Sequence, residues 1–273
     1  MTKTQKIIEK WYKLLKFPKE YDEEFYQILE EIPVPEGLRV EDTDPWSPYG
    51  KENLLRHLYF AEQLGEKYKE KGIPESVLID TLKDIVTWTK TWSNVRGELW
   101  LEETHWLRLH FGMRLFALGR LHFFIVMIPG GMEELGIADG EGFVDVHIPE
   151  GGPLDYEQCV ESFRMADEFF PKFFPEIPYR VYLCDSWLLD DTLKNYLRPD
   201  SNIVKFQSLF TPIRKRPENE IIHCIFTKDT TEENLAEKVA TSSFAQKVKD
   251  HVLNGGTFYA VMGRRERGEQ LQL

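Results

Sequence analysis

The sequence predicts an α/β protein in which a helical N-terminal domain precedes a domain of strands and helices. Two observations carry this. Through the first half, apolar residues recur at three- and four-residue steps without β-branched runs; beyond it, short β-type runs alternate with helical segments. The composition agrees, since 273 residues at 42% hydrophobic and 29% charged can bury a sizeable core. We place the domains at residues 1–115 and 116–273.

Taken in order, Trp11, Leu14 and Leu15 mark one helical stripe, and Phe25, Ile28 and Leu29 mark another that ends at Pro33 and Pro35. A connector rich in Pro, Ser and Asp runs from Glu41 to Tyr49. Helices are expected over Leu54–Tyr68 and over Glu75–Trp92, the second opened by Pro74 at a first-turn position. A third is expected through Trp106, Leu109, His110, Met113, Phe116 and Ala117, with Gly119 placed to end it. Candidate strands are Leu121–Ile128, Gly142–Ile148, Tyr179–Cys184, Ile203–Phe210, Ile221–Phe226 and Phe258–Met262. A helix over Asp155–Phe174 joins the second of these to the third as a right-handed parallel crossover. Further helices are expected over Asp190–Leu197 and Thr231–Leu253.

Several classes are excluded. With 34 basic and 46 acidic residues the net charge is −12, which argues against a nucleic-acid partner. Phe123–Pro129, the longest apolar stretch, is too short for a bilayer, so no membrane partner is expected; the start lacks a cleavable apolar segment, so a cytoplasmic protein is expected. Cys159, Cys184 and Cys224 stand in no paired spacing, and the seven histidines form no ligand motif, so no disulfide framework and no bound metal are expected.

The stretch FVDVHIPEGGPLDYEQCVESF, residues 143–163, runs from a strand through a diglycine turn directly into an amphipathic helix. Gly151 and Gly152 can present bare N–H groups at the positive end of the helix dipole, where phosphate oxygens bind. The plainer reading is a helix start with Asp155 as N-cap and Gln158 closing a capping box. On the strand before the turn, Asp145 and His147 share a face opposite Val144, Val146 and Ile148. His147 lies at the carboxyl end of its strand, where open α/β sheets bind ligands, and can serve as a general base or as a hydrogen-bonded structural histidine. The next strand ends in Cys184, Asp185, Ser186 and Trp187. Cys184 reads as a buried thiol rather than a nucleophile, and Ser186 lacks a hydrolase elbow. Tyr196 can protonate a leaving thiolate or simply pack. Arg108, Arg114 and Arg120 can meet an anionic ligand, whereas Arg214, Lys215 and Arg216 read as a solvated turn. The aromatic stripe of residues 101–119 is read as packing rather than a cofactor box.

The ordered segments IDTLKDIVTW, LRLHFGMRLFALGRLHF, VDVHIPEGGPLDYEQCVESF, CDSWLLDDTL and LRPDSNIVKFQSLFTP resemble a two-domain bacterial family of GNAT-like acyltransferases. The resemblance covers nearly the whole chain. It implies a GNAT-like mixed sheet flanked by helices, with acetyl-CoA or another acyl-CoA as co-substrate and no metal. Gly142–Ile148 and Tyr179–Cys184 would be the two parallel strands that splay apart around the pantetheine arm, and the turn at Glu150–Pro153 would face the pyrophosphate. On that analogy Ile148, Glu150, Gly151, Gly152, Cys184 and Asp185 would line the cofactor, and His147, Asp145, Tyr196 and Ser186 would carry catalysis. The activity implied is acyl transfer, acetyl in the first instance, to a small-molecule amine by direct attack in a ternary complex. The family's usual signature, Arg or Gln, two residues, Gly, one residue, then Gly or Ala, is absent: with Gly151 on its first glycine, Ile148 takes the Arg/Gln place and Pro153 the last. The alternative is a degenerate GNAT fold that binds a ligand or a protein and catalyses nothing.

Overall fold

Helix formation begins with a reciprocal cap. In the computed structural model, which describes residues 1–269, Gln5 N–H donates to Thr2 Oγ1 at 3.1 Å and Thr2 N–H donates to Gln5 Oε1 at 2.8 Å. Helix α1 (Lys3–Leu14) follows, then α2 (Asp22–Glu31), α3 (Gly50–Lys71), α4 (Glu75–Arg96), α5 (Thr104–Phe111) and a short strand β1 (Leu115–Leu118). These elements make one compact unit, Met1–Leu118 with Pro149–Gly151. The predicted stripes are buried in it, apart from the half-buried Leu14. Trp11, Leu15, Phe25, Ile28 and Leu29 are all in the core, where Tyr12 stacks on Phe25. Helix α3 starts four residues earlier than expected, at Gly50, where the Trp100 ring occupies the space of any Cβ and so requires glycine.

The third predicted helix is shorter than its apolar spacing suggested. It stops at Phe111, Met113 takes a left-handed φ of 53°, and Phe116 and Ala117 belong to β1 instead. Residues 115–118 are buried without exception, and a continuous apolar run fits either a buried strand or a buried helix turn. Arg108, expected to be free for a ligand, instead donates to the carbonyls of Val40 and Thr43 and so closes the 40–43 loop.

The second unit comprises Gly119–Ile148 and the chain from Gly152 on. It contains β2 (Leu121–Met127), β3 (Gly142–His147), α6 (Tyr156–Phe173), β4 (Tyr179–Ser186), α7 (Asn202–Gln207), β5 (Thr211–Pro217), α8 (Ile221–Ile225), α9 (Ser243–Leu253) and β6 (Tyr259–Glu266). Within this unit the strands lie in the order β2-β3-β4-β6-β5. Only β3 and β4 are parallel, joined through α6 as predicted, and the other pairs are antiparallel, so the sheet is mixed. Phe163 of α6 packs edge-on against Phe123 and Tyr182, which puts the helix over one sheet face.

Five elements of this unit differ from the sequence reading. Residues 203–210, read as a strand for their β-branched start, hold α7: Ser201 caps it, and Phe206, Leu209 and Phe210 bury at helical spacing. Residues 221–225 are helix α8, capped by Phe226, with Ile221 and Ile222 in a cluster that also takes in Ile225 and Phe226. The predicted helix 231–253 is real only from Ser243, because Thr231 and Asn234 bond each other's backbone and Ser242 caps the later start. Over Asp190–Leu197 the chain makes a 3-10 turn, Asp191–Asn195, rather than an α-helix. Finally, the basic loop around Arg214–Arg216 is the edge strand β5. It is exposed along its length and bounded by prolines, so it shows no apolar alternation to read.

Candidate active site at the carboxyl ends of β3 and β4

The parallel ladder between β3 and β4 ends before the strands do. Its last pair is Asp145↔Leu183, whereas β3 runs to His147 and β4 to Ser186. Each strand keeps its outer neighbour to the end: His147 pairs with His122 of β2, and Ser186 pairs with Val261 of β6. The two central strands therefore part at their carboxyl ends and leave inner backbone groups without a ladder partner, which a ligand running between them can use.

Asp145 and His147 stand on one face of β3, as the alternation predicts, with Nε2 of His147 3.2 Å from Oδ2 of Asp145. Their side chains are 30% and 28% exposed, although Nε2 of His147, the atom turned to Asp145, is itself buried. Cys184 is fully buried, and that burial, with the charges of Asp145 and Asp185 adding to it, pushes its thiol well above the ordinary value, which disfavours the nucleophilic thiolate. The other two residues at this end of β4 are engaged structurally. Asp185 pairs with Arg216 of β5 at 2.5 Å, and Ser186 Oγ accepts from Leu188 N–H at 3.2 Å, capping the next turn.

After β3 the chain passes Ile148 and enters the diglycine turn with φ of 95° at Gly151 and 68° at Gly152, values that favour glycine. A Cβ at either glycine would meet nothing within 4 Å, so the space over the turn is open. Glu150 is turned aside, accepting from Thr91 Oγ1 at 3.0 Å. Asp155 caps α6, accepting from Gln158 N–H at 3.0 Å. The N-cap of the sequence reading is therefore present, as a one-way bond from Gln158 N–H rather than a reciprocal capping box.

A positive charge reaches this turn from elsewhere in the chain. Arg120, immediately before β2, is carried there by the β2–β3 pairing; its Nε donates to Pro153 O at 2.9 Å and its Nη2 lies 3.5 Å from Gly152 O. Its backbone N–H is held by Ser162 Oγ at 2.7 Å. Burial draws the guanidinium pKa down while Cys159 works the other way, and an arginine stays charged regardless. Sequence reading had only grouped Arg120 with two other arginines; its position one residue before a strand that pairs with β3 was the available signal.

Tyr196 is not brought into contact with the other predicted catalytic residues. Its hydroxyl instead meets Nδ1 of His251 at 2.8 Å, a partner on α9 that the sequence did not suggest.

Comparisons with known proteins bear on this geometry. Residues 115–265 match the family described as the GNAT-like C-terminal domain, and residues 14–113 match the N-acyltransferase N-terminal domain. No curated protein matches the chain. Among solved structures, an acyltransferase mutant, orf11*, in complex with octanoyl-CoA is similar at TM-score 0.79 and 23% identity, over 95% of this chain and 87% of that one. An acyltransferase in complex with decanoyl-CoA and teicoplanin is similar at TM-score 0.77 and 23% identity over the same shares. Another, in complex with decanoyl-CoA, is similar at TM-score 0.70 and 25% identity, over 94% of this chain and 75% of that one.

Proposed function

Because the chain belongs to the family that joins an N-acyltransferase N-terminal domain to a GNAT-like C-terminal domain, we propose that it transfers an acyl group from acyl-CoA to an amine by direct attack. The observation that carries the proposal is the parting of β3 and β4 after Asp145↔Leu183. The thioester arm lies in that opening, its pyrophosphate over Gly151 and Gly152, with Ile148 and Cys184 as walls. Arg120 supplies the charge that the signature position, occupied by Ile148, does not. The residues taken as the acyltransferase domain are 116–273, with 1–115 as the helical domain.

The amine must lose a proton to attack, and His147, oriented by Asp145, takes it. Backbone N–H groups at the parted strand ends polarise the thioester carbonyl. The departing thiolate receives a proton from Tyr196 or Ser186, whose hydroxyls meet His251 Nδ1 and Leu188 N–H respectively. The acceptor is a small-molecule amine, which an acidic surface of net charge −12 suits when the amine is cationic. Acetyl is the simplest acyl group; the octanoyl- and decanoyl-CoA held by similar structures extend the range to medium chains.

A thermal-shift titration with CoA and with acetyl-, octanoyl- and decanoyl-CoA tests the donor site, since a ligand that binds only the folded state raises its apparent stability. A saturable shift in the wild type that is lost in Gly152→Asp is expected. No shift with any thioester would replace this reading by a non-catalytic binding fold, which the missing signature favours. His147→Ala tests the base: an unchanged pH–rate profile removes that assignment.

A further inference from the structure

Two carboxylates flank the diglycine turn, and they are held in different ways. Asp155, three residues after Gly152, is fixed by its own helix, accepting from Gln158 N–H at 3.0 Å. Glu150, immediately before Gly151, is exposed, and the bond that turns it aside comes from Thr91 on α4, 59 residues away, whose Oγ1 donates to Glu150 Oε2 at 3.0 Å. Thr91 and Glu150 belong to the same compact unit. The same Oγ1 lies 3.1 Å from the Thr87 carbonyl, one helical turn back. A hydroxyl has a single proton to give, so these two acceptors compete for it. Glu150 is therefore steered rather than locked: when it swings away, the proton passes wholly to the Thr87 carbonyl. The space over both glycines is open to it, since a Cβ at either would meet nothing within 4 Å.

We infer that Thr91 is a positioning residue for the acyl donor, acting through Glu150: by drawing that carboxylate toward α4 it keeps a negative charge off the turn over which the CoA pyrophosphate passes. This rests on the donor placement proposed above. A carboxylate and a pyrophosphate at one turn repel, and the repulsion grows as their approach excludes water. Arg120 attracts the same group from its seat on the Pro153 and Gly152 carbonyls. The charge that a polyanion meets at the turn is thus set by which way Glu150 points. A donor that carries the pyrophosphate feels Thr91, and a donor without it does not.

The test is a rescue measured on binding. Dissociation constants for octanoyl-CoA and for S-octanoyl-pantetheine, which lacks the pyrophosphate, are taken by titration calorimetry on wild type, Thr91→Val, Glu150→Gln and the double variant. Thr91→Val keeps the branched side chain and removes only the hydroxyl. It should weaken octanoyl-CoA binding about fivefold and leave the pantetheine thioester within about twofold of wild type. Adding Glu150→Gln should restore octanoyl-CoA binding to within about twofold of wild type, because a neutral amide repels nothing wherever it points. Raising the salt from about 50 mM to about 500 mM should shrink the Thr91→Val penalty, since screening acts on charge and not on packing. An unchanged affinity for octanoyl-CoA in Thr91→Val, equal losses on both thioesters, or a loss that survives Glu150→Gln each overturns the inference. If the wild type binds octanoyl-CoA and one of these results is found, the acyltransferase reading stands while this inference falls. A wild type that does not bind octanoyl-CoA ends both.

Discussion

The carboxyl ends of β3 and β4 sit side by side in one sheet and are finished in opposite ways. Past β3 the chain enters two left-handed glycines with open space over them, and Asp145 and His147 stay partly exposed. Past β4 the chain is sealed by its own side chains. Asp190, fully buried, accepts from Thr192 N–H at 3.0 Å and from Tyr259 N–H at 2.9 Å, and Gln207 donates to the carbonyls of Leu188 and Asp190. The difference shows that neighbouring strand ends of one sheet can be closed by buried side chains or left with open space over the turn, and only the second kind leaves room for a ligand.

Breaking the sealed end should cost the most stability. Asp190→Ala leaves two backbone donors without their acceptor and should destabilise by about 3 kcal/mol in urea unfolding; a loss under about 1 kcal/mol would mean that the seal is not structural.

The same contrast runs between histidines, with His147 at the open end and His57 buried in the helical unit. Burial holds His57 down at about 4 from an ordinary 6.5, against the pull of the Asn53 carbonyl and with Arg108, His110 and Arg56 nearby. Between pH 6.5 and 4 the unfolded chain binds a proton there that the folded one does not. Stability should therefore fall by about 1.4 kcal/mol per pH unit across that window, about 3 kcal/mol in total. His57→Gln should flatten that slope in unfolding measured at pH 4.5 and 7.

Two glycines sharpen the comparison further. At the sealed end, a Cβ on Gly263 would come within 2.7 Å of Leu189 and Phe210, so Gly263→Ala should cost about 1–3 kcal/mol by overpacking. At the open end Gly152→Ala meets no atom and should cost only the backbone preference, about 1 kcal/mol. Thermal unfolding of the pair in parallel checks the order, and a reversed order would break it.

The smallest effect expected is on the ligand rather than the fold. Arg120→Ala should raise KM for acyl-CoA about tenfold and leave KM for an acyl-pantetheine thioester, which lacks the pyrophosphate, unchanged. Equal effects on both donors would make Arg120 a brace for the turn alone.

Legibility in the sequence followed burial and locality. Helices α1 to α4 and strands β2, β3, β4 and β6 announce themselves because a buried face imposes its period. Edge strand β5 buries nothing and so was silent, while the β-branched starts of 203–210 and 221–226 read as strand although capping and local burial made them helical. At the site, Asp145, His147 and the diglycine lie within eight residues of one another and could be read together. His251 was out of reach, since it is 55 residues from Tyr196 and no local pattern pairs them.

By itself the sequence determined the two-part organisation, the β3–α6–β4 crossover and the glycine turn, because periodicity, caps and positive φ are local requirements of neighbouring residues. Only the tertiary structure decided that the β3–β4 ladder stops at Asp145, that Arg120 arrives at a turn some thirty residues away, and that Tyr196 is answered by His251. Those depend on strand register and on which elements pack together, and a change of one residue in the register of β3 would turn Asp145 and His147 to the other face.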